Sequence, residues 1–202
     1  MIDCFALLQE PRRPWLDSGE LKQKFLALSA QLHPDRVHHA SEPEKMAAQQ
    51  RYAELNAAYQ RLRDSKERLF HLLELELGAR PQQVRQIPAE LMDLSLEVAG
   101  LCRQTDAFLS EKSRTSSPLL RVQMFERGQE WTEKLTELQK QIQSRQEALV
   151  EELKRLDAEW ERAEKAEGDN ATLQRLEELW RLFGFCGRWS VQLQERIVQL
   201  SF

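Results

Sequence analysis

The fold of this chain is decided by residues 21–36, LKQKFLALSAQLHPDR. Apolar side chains recur here at helical spacing and predict an amphipathic helix with one apolar stripe: Leu21, Phe25, Leu28 and Leu32. Pro34 lacks a backbone N–H and disfavours a helical conformation at His33, so the helix is predicted to end there. Upstream, Asp17 supplies a capping oxygen and Glu20 an acid in the first turn, which sets the predicted beginning of the helix.

A second amphipathic helix is predicted after the tripeptide His33-Pro34-Asp35. Ser41 and Glu44 match a capping box, and Pro43 falls in the first turn, where proline is tolerated. The apolar stripe that follows is Ala48, Tyr52, Leu55, Tyr59 and Leu62. Two helices joined by a short polar loop are predicted to pack as an antiparallel hairpin, with the tripeptide at its tip.

The rest of the chain is also predicted to be helical. It has 202 residues but only seven glycines and seven prolines, and long stretches contain neither. Pro81 and Pro88 mark a linker over 79–88, which separates an N-terminal domain at 1–78 from a C-terminal domain at 89–202. Heptad-like apolar spacing beyond the linker predicts three long helices. The predicted fold class is therefore all-α, a helical hairpin followed by an elongated antiparallel three-helix bundle.

Charge and hydropathy exclude several classes of protein. The net charge is −4 and the basic residues are not clustered, so nucleic-acid binding is not expected. No apolar run approaches membrane-spanning length, and the first residues lack a basic region followed by an apolar core. We therefore expect no membrane association, no signal peptide and a cytoplasmic location.

Enzymatic chemistry is not indicated by the residue pattern. No paired base and nucleophile, no glycine-rich phosphate loop and no metal-ligand cluster stands at usable spacing. The three cysteines are far apart and none forms a Cys-x-x-Cys pair, so buried reduced thiols are predicted rather than a zinc or redox site. We expect no catalytic residue, no bound metal and no cofactor.

The order of helix, His-Pro-Asp loop and helix resembles the J-domain family, the co-chaperones that stimulate DnaK-type ATPase chaperones. The resemblance extends to residues 56–59, NAAY, and residues 62–68, LRDSKER. It implies that His33, Pro34 and Asp35 trigger ATP hydrolysis on the chaperone. It also implies a basic docking face on the preceding helix, for which the candidates are Lys22, Lys24 and Arg36.

The C-terminal region narrows the resemblance to HscB-type co-chaperones of iron–sulfur cluster assembly. A J-domain followed directly by a helical bundle, without a Gly/Phe-rich linker or zinc-binding cysteine repeats, is similar to that class. Leu91-Met92-Asp93 looks like the start of its first C-terminal helix. The resemblance implies that an iron–sulfur scaffold protein binds a surface formed by Leu91, Met92, Leu96, Phe183 and Phe185.

The residues themselves leave the role of this helix open. Met92, Leu96 and Ala99 lie beside the heptad face of the helix rather than on it. Such a second apolar strip is either an exposed partner surface or a broader core contact.

Three functional hypotheses follow. The first is a co-chaperone that delivers an iron–sulfur scaffold to a DnaK/HscA-type chaperone. The second is a general J-protein with another client, and the third is a coiled-coil adaptor with a vestigial J-domain. The heptads of the middle helix also allow a homodimer through that helix.

Overall fold

The computed structural model describes residues 2–37, 39–82, 86–114, 118–163 and 170–201, except for the side chains of Arg36, Pro118, Leu119, Arg121, Ala163 and Asn170. Every regular element in these ranges is helical, which confirms the all-α prediction. The α-helices are α1 (Cys4–Leu7), α2 (Ser18–Leu32), α3 (Glu42–Arg63), α4 (Ser65–Leu77), α5 (Met92–Arg114), α6 (Pro118–Ala163) and α7 (Asn170–Leu200). Short 3-10 turns at Pro34–Val37 and Ala89–Leu91 precede α3 and α5.

Local sequence signals set the helix ends as predicted. The Asp17 carboxylate accepts hydrogen bonds from the backbone N–H groups of Gly19 and Glu20, at 2.8 and 2.9 Å. At α3, Glu44 accepts from the backbone N–H of Ser41 at 2.9 Å, which completes the predicted capping box. These hydrogen bonds to Ser41 lower the pKa of Glu44. The boundaries of the hairpin therefore follow from contacts within one helical turn.

By packing, the chain forms two compact units, and neither is contiguous in sequence. One unit contains Met1–Gln82 and Val150–Trp180, and the other contains Gln83–Leu149 and Arg181–Phe202. Helices α6 and α7 thus contribute to both units. The sequence predicts contiguous domains at 1–78 and 89–202, joined by a linker at 79–88, and this division stays a prediction.

In the first unit, α2 and α3 form the predicted antiparallel hairpin. The rings of Phe25 and Tyr59 stack with centroids 4.1 Å apart and an interplanar angle of 10°. Helix α1 is joined to α4 by the backbone N–H of Cys4, which donates to Nε2 of buried His71 at 3.0 Å. Burial, followed by the positive charge of Arg61, lowers the pKa of His71, which favours the neutral ring that this bond requires.

The loop between α1 and α2 is bound to the C-terminal part of α6 within the same unit. Asp157, buried on α6, accepts from Nε of Arg13 and from the backbone N–H of Trp15, each at 3.1 Å. The indole N–H of Trp160 donates to the carbonyl of Arg12 at 2.9 Å. This segment of the bundle is thereby part of the folding unit that contains the hairpin.

The second unit places α5 antiparallel to α6 and parallel to α7. Arg127 on α6 pairs with Glu111 on α5 at 2.9 Å, while Arg196 on α7 pairs with Asp106 on α5 at 2.7 Å. Cys102 and Cys186 are buried and free, as is Cys4 in the first unit, and burial raises the pKa of each thiol. The prediction of buried reduced cysteines is confirmed.

Candidate functional site

The His-Pro-Asp tripeptide lies at the exposed tip of the α2–α3 hairpin. His33 ends α2 in an extended conformation, with φ −60° and ψ 130°, because Pro34 follows it. The side chains of His33 and Asp35 are 46% and 88% exposed. A partner can therefore reach the imidazole and the carboxylate together without any rearrangement of the core.

The imidazole of His33 is held from two sides. Its Nδ1 accepts from the backbone N–H of Asp35 at 3.3 Å and lies 3.5 Å from the Asp35 carboxylate. Its ring meets Tyr52 on α3 edge to face, with centroids 5.5 Å apart and an interplanar angle of 75°. The hydroxyl of Ser29 in turn donates to the Tyr52 hydroxyl at 3.3 Å. The orientation of His33 thus depends on both helices of the hairpin.

Sequence reasoning placed Tyr52 in the core stripe of α3 and missed this role. Tyr52 is only half-buried, and its ring supports His33 as well as the helix interface. The antiparallel pairing of α2 with α3 is the signal that could have found it. That pairing brings the first half of α3 alongside the end of α2.

The predicted basic residues differ in their surroundings. Lys22 is exposed on α2. Lys24 pairs with Glu10 at 2.9 Å and donates to the carbonyl of Gln9 at 3.2 Å, so it also ties α2 to the preceding loop. Arg36 lies in the 3-10 turn, but its side chain is outside the described residues. A partner that binds Lys24 must compete with the contacts that Lys24 makes to the preceding loop.

Some residues of the predicted client surface are exposed, and others are buried. Met92 and Leu96 are 44% and 66% exposed, so they form an apolar strip outside the core. Of the two interpretations that the sequence left open for them, the structure excludes the core contact. Two acids on the same helix, Asp93 and Glu97, are exposed beside this strip.

Three other residues assigned to that surface are in the core. Leu91 is 1% exposed, and Phe183 and Phe185 are 6% and 7% exposed. Burial within the chain already removes nearly all of their apolar surface from water, so they offer a client little contact area in this conformation. The accessible part of the predicted surface is therefore Met92 and Leu96, which we name the α5 strip.

The described residues contain neither a membrane-spanning helix nor a cluster of metal-ligating side chains. No helix there is long and apolar enough to cross a membrane. In the same ranges, no three His, Cys, Asp or Glu side chains are grouped so that they could hold a metal ion.

Comparison with known proteins identifies the hairpin. The DnaJ domain family matches residues 3–71, which include α1 to α3 and the tripeptide. The co-chaperone protein HscB homolog of Vibrio cholerae serotype O1 (strain M66-2) is 37% identical over 116 residues, which cover 54% of this chain and 67% of that protein.

Solved structures extend the likeness to nearly the whole chain. The chaperone HscB from Vibrio cholerae superposes with a TM-score of 0.61 at 21% identity, covering 96% of both chains. The crystal structure of human co-chaperone protein HscB gives a TM-score of 0.61 at 16% identity, covering 98% of this chain and 81% of that one. At these identities the superpositions show the fold. The relative that is 37% identical and 67% covered, together with the DnaJ domain match, shows that the chain belongs to the HscB family of J-domain co-chaperones.

Proposed function

We propose that this protein stimulates ATP hydrolysis by a DnaK/HscA-type chaperone through His33, Pro34 and Asp35, and that it delivers a client bound to the α5 strip. The client proposed is the iron–sulfur cluster scaffold protein. The observation that carries the proposal is the exposed tip, where an imidazole and a carboxylate flank a rigid ring. Because Pro34 and the Tyr52 contact restrict the tip in the free protein, less conformational entropy is lost on docking.

The α5 strip supports the second half of the proposal. Exposed Met92 and Leu96 on one helix offer the apolar contact area that recognition of a folded client needs. Asp93 and Glu97 beside them favour a client with basic residues around an apolar centre. The proposed cellular location is the cytoplasm.

The proposal is tested by single-turnover ATPase measurements with a purified HscA-type chaperone. The protein is expected to raise the hydrolysis rate alone, and to raise it further when the scaffold protein is present. A chaperone rate that is the same with and without the protein would refute the J-domain function. Stimulation that is unaffected by the scaffold, together with no binding of scaffold in calorimetry, would favour the general J-protein.

Tyr52 is expected to act as a positioning residue for His33. Tyr52→Leu removes the edge-to-face contact, which is worth about 0.5–1.5 kcal/mol, and is expected to lower ATPase stimulation by roughly twofold to tenfold. Tyr52→Phe keeps the ring and loses only the hydrogen bond from Ser29, so it is expected to retain stimulation. Titration of chaperone ATPase with each variant checks this. Equal loss in both variants would contradict the positioning role.

Leu96 is expected to contribute to client affinity without contributing to stability. Leu96→Ala is expected to weaken scaffold binding by about tenfold, because burying such a side chain is worth about 1.5–3 kcal/mol. Leu26→Ala is the matched control, since Leu26 on α2 is also exposed, at 55%. Calorimetric titration should show a loss of affinity for the first variant only. Unchanged affinity in the Leu96 variant would remove the α5 strip from the client site.

The adaptor and homodimer hypotheses are less well supported. The heptad residues of α6 that could pair with a second chain are already buried within this one: Leu135, Leu138, Ile142 and Leu149. Self-association through α6 would therefore need a different face of the helix, and it stays a prediction.

A further inference from the structure

A groove runs between α5 and α6 beside the proposed client site. It has a volume of about 430 Å³ and is lined by Gly100 and Leu101 from α5 and by Leu138 from α6. Polar side chains, among them Glu97 and Gln141, complete its lining. The groove therefore combines apolar lining residues with polar side chains, which either remain hydrated or pair with a ligand.

The glycine in this groove is not explained by packing within the chain. A glycine inside a helix costs about 1 kcal/mol relative to alanine. At Gly128 on α6, an added Cβ would contact the Phe108 ring at 3.8 Å, so a neighbour is close. At Gly100, as at Gly187 on α7, an added Cβ would meet no heavy atom within 4 Å beyond its own stretch of helix. Glycine therefore lowers the stability of α5 at a position where a larger side chain would fit.

The groove is continuous with the α5 strip. Leu96 and Gly100 are four residues apart on α5, so they lie on one face, one helical turn from each other. Glu97, which follows Leu96, itself lines the groove. A client segment that covers Met92 and Leu96 meets Gly100 and the groove next.

We propose that the client's contact extends past Leu96 over Gly100 and places an apolar side chain in the α5–α6 groove, against Leu101 of α5 and beside Gln141 of α6. This inference rests on the proposed client-binding function. A missing Cβ allows a client to approach the α5 backbone closely, which is a common use of glycine at binding surfaces. The client site then includes α6 as well as α5.

The first test fills the groove. Gly100→Leu places a side chain in open space and improves helix propensity, so the variant should unfold at a temperature no lower than wild type. It is expected to bind the scaffold protein about tenfold more weakly in calorimetry. Gly187→Leu on α7 is the matched control, since an added Cβ there also meets nothing within 4 Å and the residue lies outside the groove. ATPase stimulation without scaffold should be unchanged in both variants.

The outcomes separate this inference from the proposed function. Wild-type affinity for Gly100→Leu together with weakened binding for Leu96→Ala would overturn the groove and leave the α5 strip. Wild-type affinity for both variants, or no binding by the wild-type protein, would overturn the α5 strip as the scaffold site and the groove with it.

A second test reports the client's position directly. A photocrosslinker on Gln141→Cys is expected to capture the scaffold protein, because Gln141 reaches the groove from α6. The same label on Gln143→Cys points to another side of α6 and should not capture it. The native cysteines are buried, which favours labelling at the introduced one. Intact binding without capture at position 141 would overturn the inference.

Discussion

His33→Gln is expected to lower the stimulation of chaperone ATPase by at least about tenfold while leaving the fold intact. The imidazole is the exposed group that contacts Asp35 and Tyr52 in a fixed orientation. Glutamine keeps hydrogen-bonding groups but has no ring to contact Tyr52, so the fixed orientation in which His33 is presented to a partner is lost. A hydrogen bond to a charged group is worth about 1.5–3 kcal/mol, which corresponds to roughly a tenfold to hundredfold decrease in stimulation.

The matched control for this prediction is His39→Gln. His39 is exposed in the same connection between α2 and α3 but lies outside the tripeptide. The control is expected to stimulate like wild type and to unfold within about 0.5 kcal/mol of wild type, because the position is at the surface. His33→Gln should unfold within about 1.5 kcal/mol of wild type, because it loses the ring contact with Tyr52. Chaperone ATPase rates and urea denaturation are the two measurements. A His33→Gln variant that stimulates as well as His39→Gln would contradict the role of the tip.

Much of the hairpin could be predicted because its determinants are local. The cap at Asp17, the capping box of Ser41 with Glu44 and the stop at Pro34 each act within one helical turn. The apolar stripes then indicate which faces of the two helices meet. The sequence therefore predicted the position of the tip correctly. For Met92 and Leu96 it left two alternatives, and exposure was one of them.

The rest of the site depends on contacts that leave no periodic signal. The sequence pattern could not show that Leu91, Phe183 and Phe185 are buried, since an apolar residue suits a core and a binding surface equally well. Nor could it show that Lys24 pairs with Glu10, which lies fourteen residues earlier in a proline-rich loop. These features are fixed by tertiary packing, which a helical period does not encode.

The contacts of Asp157 are the strongest non-local example, and their removal is expected to destabilise the first unit. Asp157 is 3% exposed and accepts hydrogen bonds from Arg13 and from the backbone N–H of Trp15. Asp157→Ala leaves the half-buried guanidinium of Arg13 and the Trp15 N–H without this acceptor. Breaking a buried ion pair from one side costs about 3–5 kcal/mol, so a decrease of about 3 kcal/mol in the free energy of unfolding is expected.

Glu161→Gln provides the control, because it removes a carboxylate that also pairs with Arg13, at 3.0 Å, but is 58% exposed. Exposed pairs contribute about 0–1 kcal/mol, so this variant should unfold close to wild type in urea. Arg13→Ala combined with Asp157→Ala should cost less than the sum of the single changes, since the two side chains share one interaction. Equal stabilities for Asp157→Ala and Glu161→Gln would mean that the loop before α2 is held by the Trp160 contact and apolar packing instead. A decrease confined to Asp157→Ala would show that the loop before α2 depends for its stability on a carboxylate 144 residues from Arg13, on a helix that contributes to both units.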